Sequence, residues 1–168
     1  GGAIMMNAGN PEIGIGNLVD RVEIMTRTGK EQFLKRKDLR FSYRRSSFPD
    51  GCIILSAELV LKKMPEDTIM KKVKQNIRKR REMQPTDPCQ AGSIFKNPKN
   101  NFAGRLIELA GLKGLSHGDA YVSGKHANFI VNRGRAKARD VLYLIRKIKN
   151  IVKGKFGIEL KLEIKIVG

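Results

Sequence analysis

Apolar and polar positions along the 168-residue chain fall into a few distinct rhythms. Towards the C-terminus, Ile158, Leu160, Leu162, Ile164 and Ile166 alternate with Glu159, Lys161, Glu163 and Lys165. A period of two predicts a half-buried strand. Residues 136–153 place Val141, Ile145, Ile148 and Val152 at helical spacing, with Gly154 or Gly157 as the stop. Residues 66–83 carry Ile69, Met70, Val73 and Ile77 on one helical face and charges on the other, which predicts an amphipathic helix with a solvated basic face. A shorter helix is expected over residues 103–110, ended by Gly111.

The β-favouring stretches are shorter. Residues 22–26 and 32–34 flank Thr28-Gly29-Lys30, a hairpin pattern, and residues 52–61 follow the turn Pro49-Asp50-Gly51. Residues 120–122 and 128–131 read as two more short strands, and Pro85, Pro88 and Pro98 mark the irregular stretch around Ser93, between the basic helix and the 103–110 helix, as loop. Helices and strands in separate runs make an α+β chain.

Charge adds one rival reading. Lysine and arginine exceed acidic residues by 18, and residues 71–81 hold seven cations. Such a field attracts polyanions. The run falls on the polar face of the 66–83 helix, aromatic residues make up 6% of the chain, tryptophan is absent, and no stacking platform or recognition motif is found. A basic nucleic-acid-binding module therefore stands as an alternative, and no nucleic acid is expected. Cys52 and Cys89 form no disulfide framework, and neither they nor His117 and His126 show metal-ligand spacing. No apolar run is long enough to span a bilayer, and no signal-peptide pattern is seen.

The densest chemistry lies in Ala91-Gly92-Ser93-Ile94-Phe95-Lys96-Asn97-Pro98. One turn gathers a hydroxyl, a cation and a carboxamide, which suits an anionic ligand; the same residues could equally form a turn with Ser93 bonded to its own backbone.

Further motifs surround it: GGAIMMNAGN at the start, FSYRRSSF between Phe41 and Phe48, FAGRLIELAGLKG from 102, VSGKHANFIVNRGRAKARD from 122 and FGIELKLEIKIVG at the end. In that order and spacing they resemble the UDP-N-acetylenolpyruvoylglucosamine reductase family, flavoenzymes that make UDP-N-acetylmuramate for bacterial peptidoglycan. The resemblance covers nearly the whole chain. It implies the C-terminal part of a flavin-binding domain at 1–62, a linking basic helix at 63–83, and an α+β substrate-binding domain at 84–168 with a returning final strand. Because the family's enzymes are longer and their N-terminal portion holds a glycine-rich pyrophosphate loop, to which Gly14-Ile15-Gly16 does not correspond, the chain is expected to be a C-terminal portion.

The resemblance also implies FAD and NADPH as cofactors, a UDP-sugar enolpyruvyl substrate, a cytoplasmic location and a monomer. It assigns catalytic roles to Ser93 as proton donor, Arg44 facing the substrate carboxylate, and Glu163 beside the enol intermediate. Arg45 and Glu159 are their alternatives. Tyr43, Lys96 and Asn97 are implied as substrate contacts, Asn7 and Gly9 as flavin-lining residues, and no metal. Lys125, His126 and Asn128 either shape the turn covering the site or simply hold it. The chain departs from the family pattern at Lys161-Leu162, Lys165 and Asn10-Pro11. It also lacks a recognisable substrate-binding tyrosine loop. An inactive fragment of the enzyme is the remaining reading.

Overall fold

A computed structural model describes residues 1–9 and 13–167. Asn10-Pro11, where the chain departs from the family pattern, lies outside them. The chain divides into two compact units, Gly1–Pro65 and Glu66–Gly168.

In the first unit a single helical turn, α1 (Gly2–Met5), precedes strands β1 (Val19–Met25), β2 (Glu31–Lys35), β3 (Phe41–Ser42), β4 (Arg45–Ser46) and β5 (Ile53–Leu59). β1 is central in an antiparallel sheet ordered β2-β1-β5. It starts earlier than the pattern implied because Val19 joins Val22 and Ile24 in facing the core, with Ile4, Leu39 and Phe48. The β1–β2 turn closes as expected: the Thr26 amide donates to the Lys30 carbonyl, and Gly29 takes φ +78°, a conformation that glycine adopts without strain. β3 and β4 form a separate two-stranded hairpin.

The second unit holds α2 (Glu66–Met83), β6 (Gln90–Ser93), α3 (Ala103–Leu109), β7 (Ser116–His117), β8 (Ala120–Val122), β9 (Phe129–Asn132) and α4 (Ala138–Phe156). The strands form an antiparallel sheet ordered β6-β9-β8-β7. α3 buries Ala103, Leu106 and Ile107, and α4 buries Leu144, Ile145, Ile148 and Val152 against the same core. Gly157, at φ +68°, ends α4, so the stop is Gly157 rather than Gly154.

Three expectations are corrected. The stretch expected to be loop contains β6, because residues 90–93 find β9 as a partner. The final stretch forms no strand: Phe95 and Leu162 make one isolated bridge, flanked by bonds from the Lys96 amide to the Lys161 carbonyl and from the Glu163 amide to the Ile94 carbonyl. Its alternation still sets burial, since Leu160 is 1% exposed and Ile158, Leu162 and Ile164 pack on the core. The available backbone partner is too short to propagate a ladder. Lastly, α2 buries none of its side chains, and Ile69, Met70, Val73 and Ile77 remain 42–48% exposed. The apolar stripe is there, but none of the described residues buries it.

Candidate active site

Ser93 ends a bulged strand. Gln90 pairs with Val131 and Ser93 with Phe129, so β6 spends one residue more than β9 between the two pairs. A bulge re-aims the side chain that follows it. Gly92 sits in the bulge at φ +76°, and its amide donates to Oε1 of Gln90. Beyond the bulge, Ser93 and Asn97 line a cavity of about 630 Å³ together with Phe102, Arg105, Lys125 and His126. Lys96 is not among its lining residues.

The backbone after Ser93 is held on two sides. On one, the Ile94 amide donates to the Asn128 carbonyl, the Phe95 amide donates to Asn128 Oδ1 at 2.9 Å, and Asn128 Nδ2 donates to the Phe95 carbonyl at 2.8 Å. On the other, Lys96 and Ile94 bond to Lys161 and Glu163 through their backbones. Ser93 and Glu163, remote in sequence, therefore hang from one short ladder. Glu163 is half-buried rather than a solvated surface charge, whereas Glu159 is exposed.

Asn97 also anchors the helix that follows, because its Oδ1 accepts the Ala103 amide at 3.0 Å, in the first turn of α3. Lys125 Nζ donates to the Arg81 carbonyl near the end of α2, tying the 123–128 turn to that helix. Within the turn, the Lys125 and His126 amides donate to Ser123 Oγ, and the Asn128 amide donates to His126 Nδ1. An Nδ1 that accepts leaves the proton on Nε2. The His126 ring lies against Gly104, where a Cβ would come within 2.8 Å of Cε1. Burial pushes the His126 pKa below its ordinary 6.5, and nearby Lys113 acts in the same direction. The neutral ring is thus favoured.

In the first unit, Asn7, Gly9, Tyr43 and Arg44 come together. Asn7 donates through Nδ2 to the Ser42 carbonyl and accepts the Gly16 amide on Oδ1. Gly9 approaches Ile13 so closely that a Cβ would lie 2.1 Å from the Ile13 carbonyl oxygen. Tyr43 and Arg44 form the tip of the β3–β4 hairpin, with Arg44 at φ +53°. A positive φ at a residue bearing a side chain is strained and concentrates at functional sites. Its guanidinium donates to the Gly9 carbonyl at 3.2 Å and lies 5.4 Å from the Tyr43 ring centroid. Arg44 is half-buried and Arg45 exposed.

Arg105 and Gln90 had not been singled out in the sequence. No local pattern marks Arg105; Gln90 precedes a glycine by two residues, the spacing at which a side chain can cap a bulge. Among the described residues no cluster of three or more His, Cys, Asp or Glu is placed to hold a metal, and no helix is long and apolar enough to cross a membrane.

The small antiparallel sheet backed by two helices has close counterparts among known proteins. Residues 84–167 match the profile of the UDP-N-acetylenolpyruvoylglucosamine reductase C-terminal domain. Over its whole length the chain is 42% identical to the UDP-N-acetylenolpyruvoylglucosamine reductase of Moorella thermoacetica and 45% identical to that of Caldanaerobacter subterraneus subsp. tengcongensis, covering 56% of each. The crystal structure of UDP-N-acetylenolpyruvylglucosamine reductase from Thermus caldophilus superposes with a TM-score of 0.85 at 39% identity, over 98% of this chain and 59% of that one. The chain belongs to the UDP-N-acetylenolpyruvoylglucosamine reductase family, and it spans about half the length of the curated relatives it matches.

Proposed function

We propose that this chain is the catalytic, substrate-binding portion of an enzyme that reduces the enolpyruvyl group of UDP-N-acetylglucosamine enolpyruvate to UDP-N-acetylmuramate, using FAD and NADPH. Residues 1–62 would then close a flavin-binding domain, 63–83 link it, and 84–168 form the substrate domain. The observation that carries this reading is the short backbone ladder that joins the segment after Ser93 to Glu163, with Ser93 itself lining the cavity.

Reduction of an enolpyruvyl ether needs a hydride at one alkene carbon, a proton at the other, and stabilisation of the charge that develops next to the carboxylate. FAD, reduced by NADPH, supplies the hydride when bound. The segment holding Asn7 and Gly9 would line such a group, with the Asn7 carboxamide bonded to the Ser42 carbonyl and the Gly16 amide and Gly9 set close against Ile13. It offers no cradle for a diphosphate, and no glycine-rich phosphate loop occurs among the described residues.

Ser93 delivers the proton. A serine hydroxyl is a weak acid at neutral pH, so the step requires a basic enolate or groups that stabilise the alkoxide. Arg44 binds the substrate carboxylate: a guanidinium stays charged at any working pH and its planar fork matches two carboxylate oxygens. Glu163 assists the enol from the opposing segment. Asn97 and the cations Lys125 and Arg105 face the sugar and diphosphate, and Tyr43 and Lys96 are further substrate contacts.

Ser93→Ala in the full-length enzyme separates the two half-reactions. Loss of a general acid lowers enolpyruvyl reduction by about 10²–10⁴-fold, while NADPH-driven flavin reduction continues. If enolpyruvyl reduction proceeds unchanged, Ser93 is not the proton donor.

A further inference from the structure

We propose that Asn128 is a positioning residue whose side chain takes the place of a missing strand residue and so sets the aim of Ser93. The inference rests on the reading of Ser93 as proton donor. β9 begins at Phe129, and the chain before it turns away through residues 123–127. The backbone pairing with β6 therefore runs out at the Ile94 amide, which donates to the Asn128 carbonyl.

The next residue, Phe95, is 2% exposed, and its amide and carbonyl need partners in a place water does not reach. Both are met by one carboxamide, Asn128, itself 3% exposed. Accepting through Oδ1 and donating through Nδ2, it makes the two bonds that a residue on a neighbouring antiparallel strand would make.

The chemistry of this clamp is selective. Aspartate accepts but does not donate when ionised, and a buried carboxylate in that place faces the Phe95 carbonyl. Serine is too short to span both groups. Glutamine carries the same amide one methylene too far.

The clamp reaches Ser93 through two covalent steps of backbone and Glu163 through one more bond, because Ile94 presents its carbonyl to the Glu163 amide on the opposite side. Loosening Phe95 lets the Ser93–Asn97 segment shift relative to both β9 and the Lys161–Glu163 segment. Asn128 adds no side chain to the packing core, in which Leu106, Ile107, Leu144 and Ile148 join Ile94 and Phe95.

The test uses the full-length enzyme with Asn128→Asp, Asn128→Ser and, as the parent control, Ser93→Ala. For the two Asn128 variants, kcat for enolpyruvyl reduction is expected to fall by roughly 10²-fold, the loss that accompanies a misplacement of about 1 Å, with KM little changed. NADPH-driven flavin reduction stays near the wild-type rate, which also reports that the enzyme is folded. Amide hydrogen exchange in the peptide spanning 91–98 accelerates.

Faster exchange with unchanged kcat would make Asn128 a purely structural residue and overturn the proposal. So would unchanged exchange, because the clamp would then not be holding Phe95. Should Asn128→Asp fail to fold, Asn128→Ser, whose hydroxyl cannot span both Phe95 groups, gives the same reading. If Ser93→Ala retains full enolpyruvyl reduction, the proton-donor reading fails, and the positioning role falls with it; if only the Ser93 variant is impaired, the parent reading stands and the clamp alone is refuted.

Discussion

The Glu163 amide donates to the Ile94 carbonyl at 2.9 Å. That one bond ties Glu163 to the residue that follows Ser93, and it does so where no regular strand forms. A fixed backbone narrows the positions its side-chain carboxylate can take, which is what preorganised electrostatic stabilisation requires. Glu163→Gln in the full-length enzyme is therefore expected to reduce kcat for enolpyruvyl reduction by about 10²-fold, with a melting temperature close to wild type. Unchanged turnover would return Glu163 to the role of a packing residue.

Gly92 offers a cleaner separation of strain from sterics. A Cβ at this position meets nothing within 4 Å, yet φ is +76°. The cost of Gly92→Ala is therefore backbone strain alone, about 1–2 kcal/mol, visible as a lower denaturation midpoint. Enolpyruvyl reduction should fall further than stability does, because relief of the strain flattens the bulge that aims Ser93. A variant as stable as wild type would mean that the bulge conformation is not required.

The two long helices make opposite predictions from similar apolar patterns. Ile148 of α4 is 1% exposed and Ile77 of α2 is 48% exposed. Ile148→Ala leaves a cavity and costs about 2–5 kcal/mol. Ile77→Ala stays within about 0.5 kcal/mol, as surface changes do. Chemical denaturation of the two variants checks both numbers, and equal losses would show that α2 is covered in solution.

His126 contributes a pH dependence whose sign follows from its burial. Its folded-state pKa lies below 6.5, mainly through desolvation, with Lys113 lowering it further and Glu108 opposing. Above 6.5 the ring is neutral in both states and stability does not depend on its titration. As pH falls from 6.5 towards the folded-state value, the unfolded chain alone takes up a proton and stability declines. Thermal melts from about pH 7.5 to about pH 5.5 should show a smaller decline in His126→Gln than in wild type. Parallel curves would mean that the ring titrates normally.

Much of this protein was legible in the sequence because the information is local. Four apolar residues at helical spacing mark α4, since a helix can bury only one face, and the β1–β2 hairpin is announced by Thr28-Gly29-Lys30 between two apolar runs. The Ser93 segment could be picked out because its chemistry is concentrated in adjacent residues. Alternation in the last stretch correctly gave its buried side, as Leu160 shows.

What tertiary structure alone decided is where backbone groups and exposed faces find partners. Period two cannot say whether a neighbouring strand is long enough to form a ladder, so residues 158–166 have the pattern of a strand but form an irregular segment braced by one bridge, with bends at Glu163 and Ile164. An amphipathic period cannot say whether anything covers the apolar face, so α2 reads like α4 and buries nothing. Asn128 could be a turn residue in any sequence; only the place where β9 begins makes its carboxamide the partner of Phe95. Side-chain periodicity is fixed by the geometry of one segment, whereas hydrogen-bond partners and cover are supplied by another, and the fold determines which segment that is.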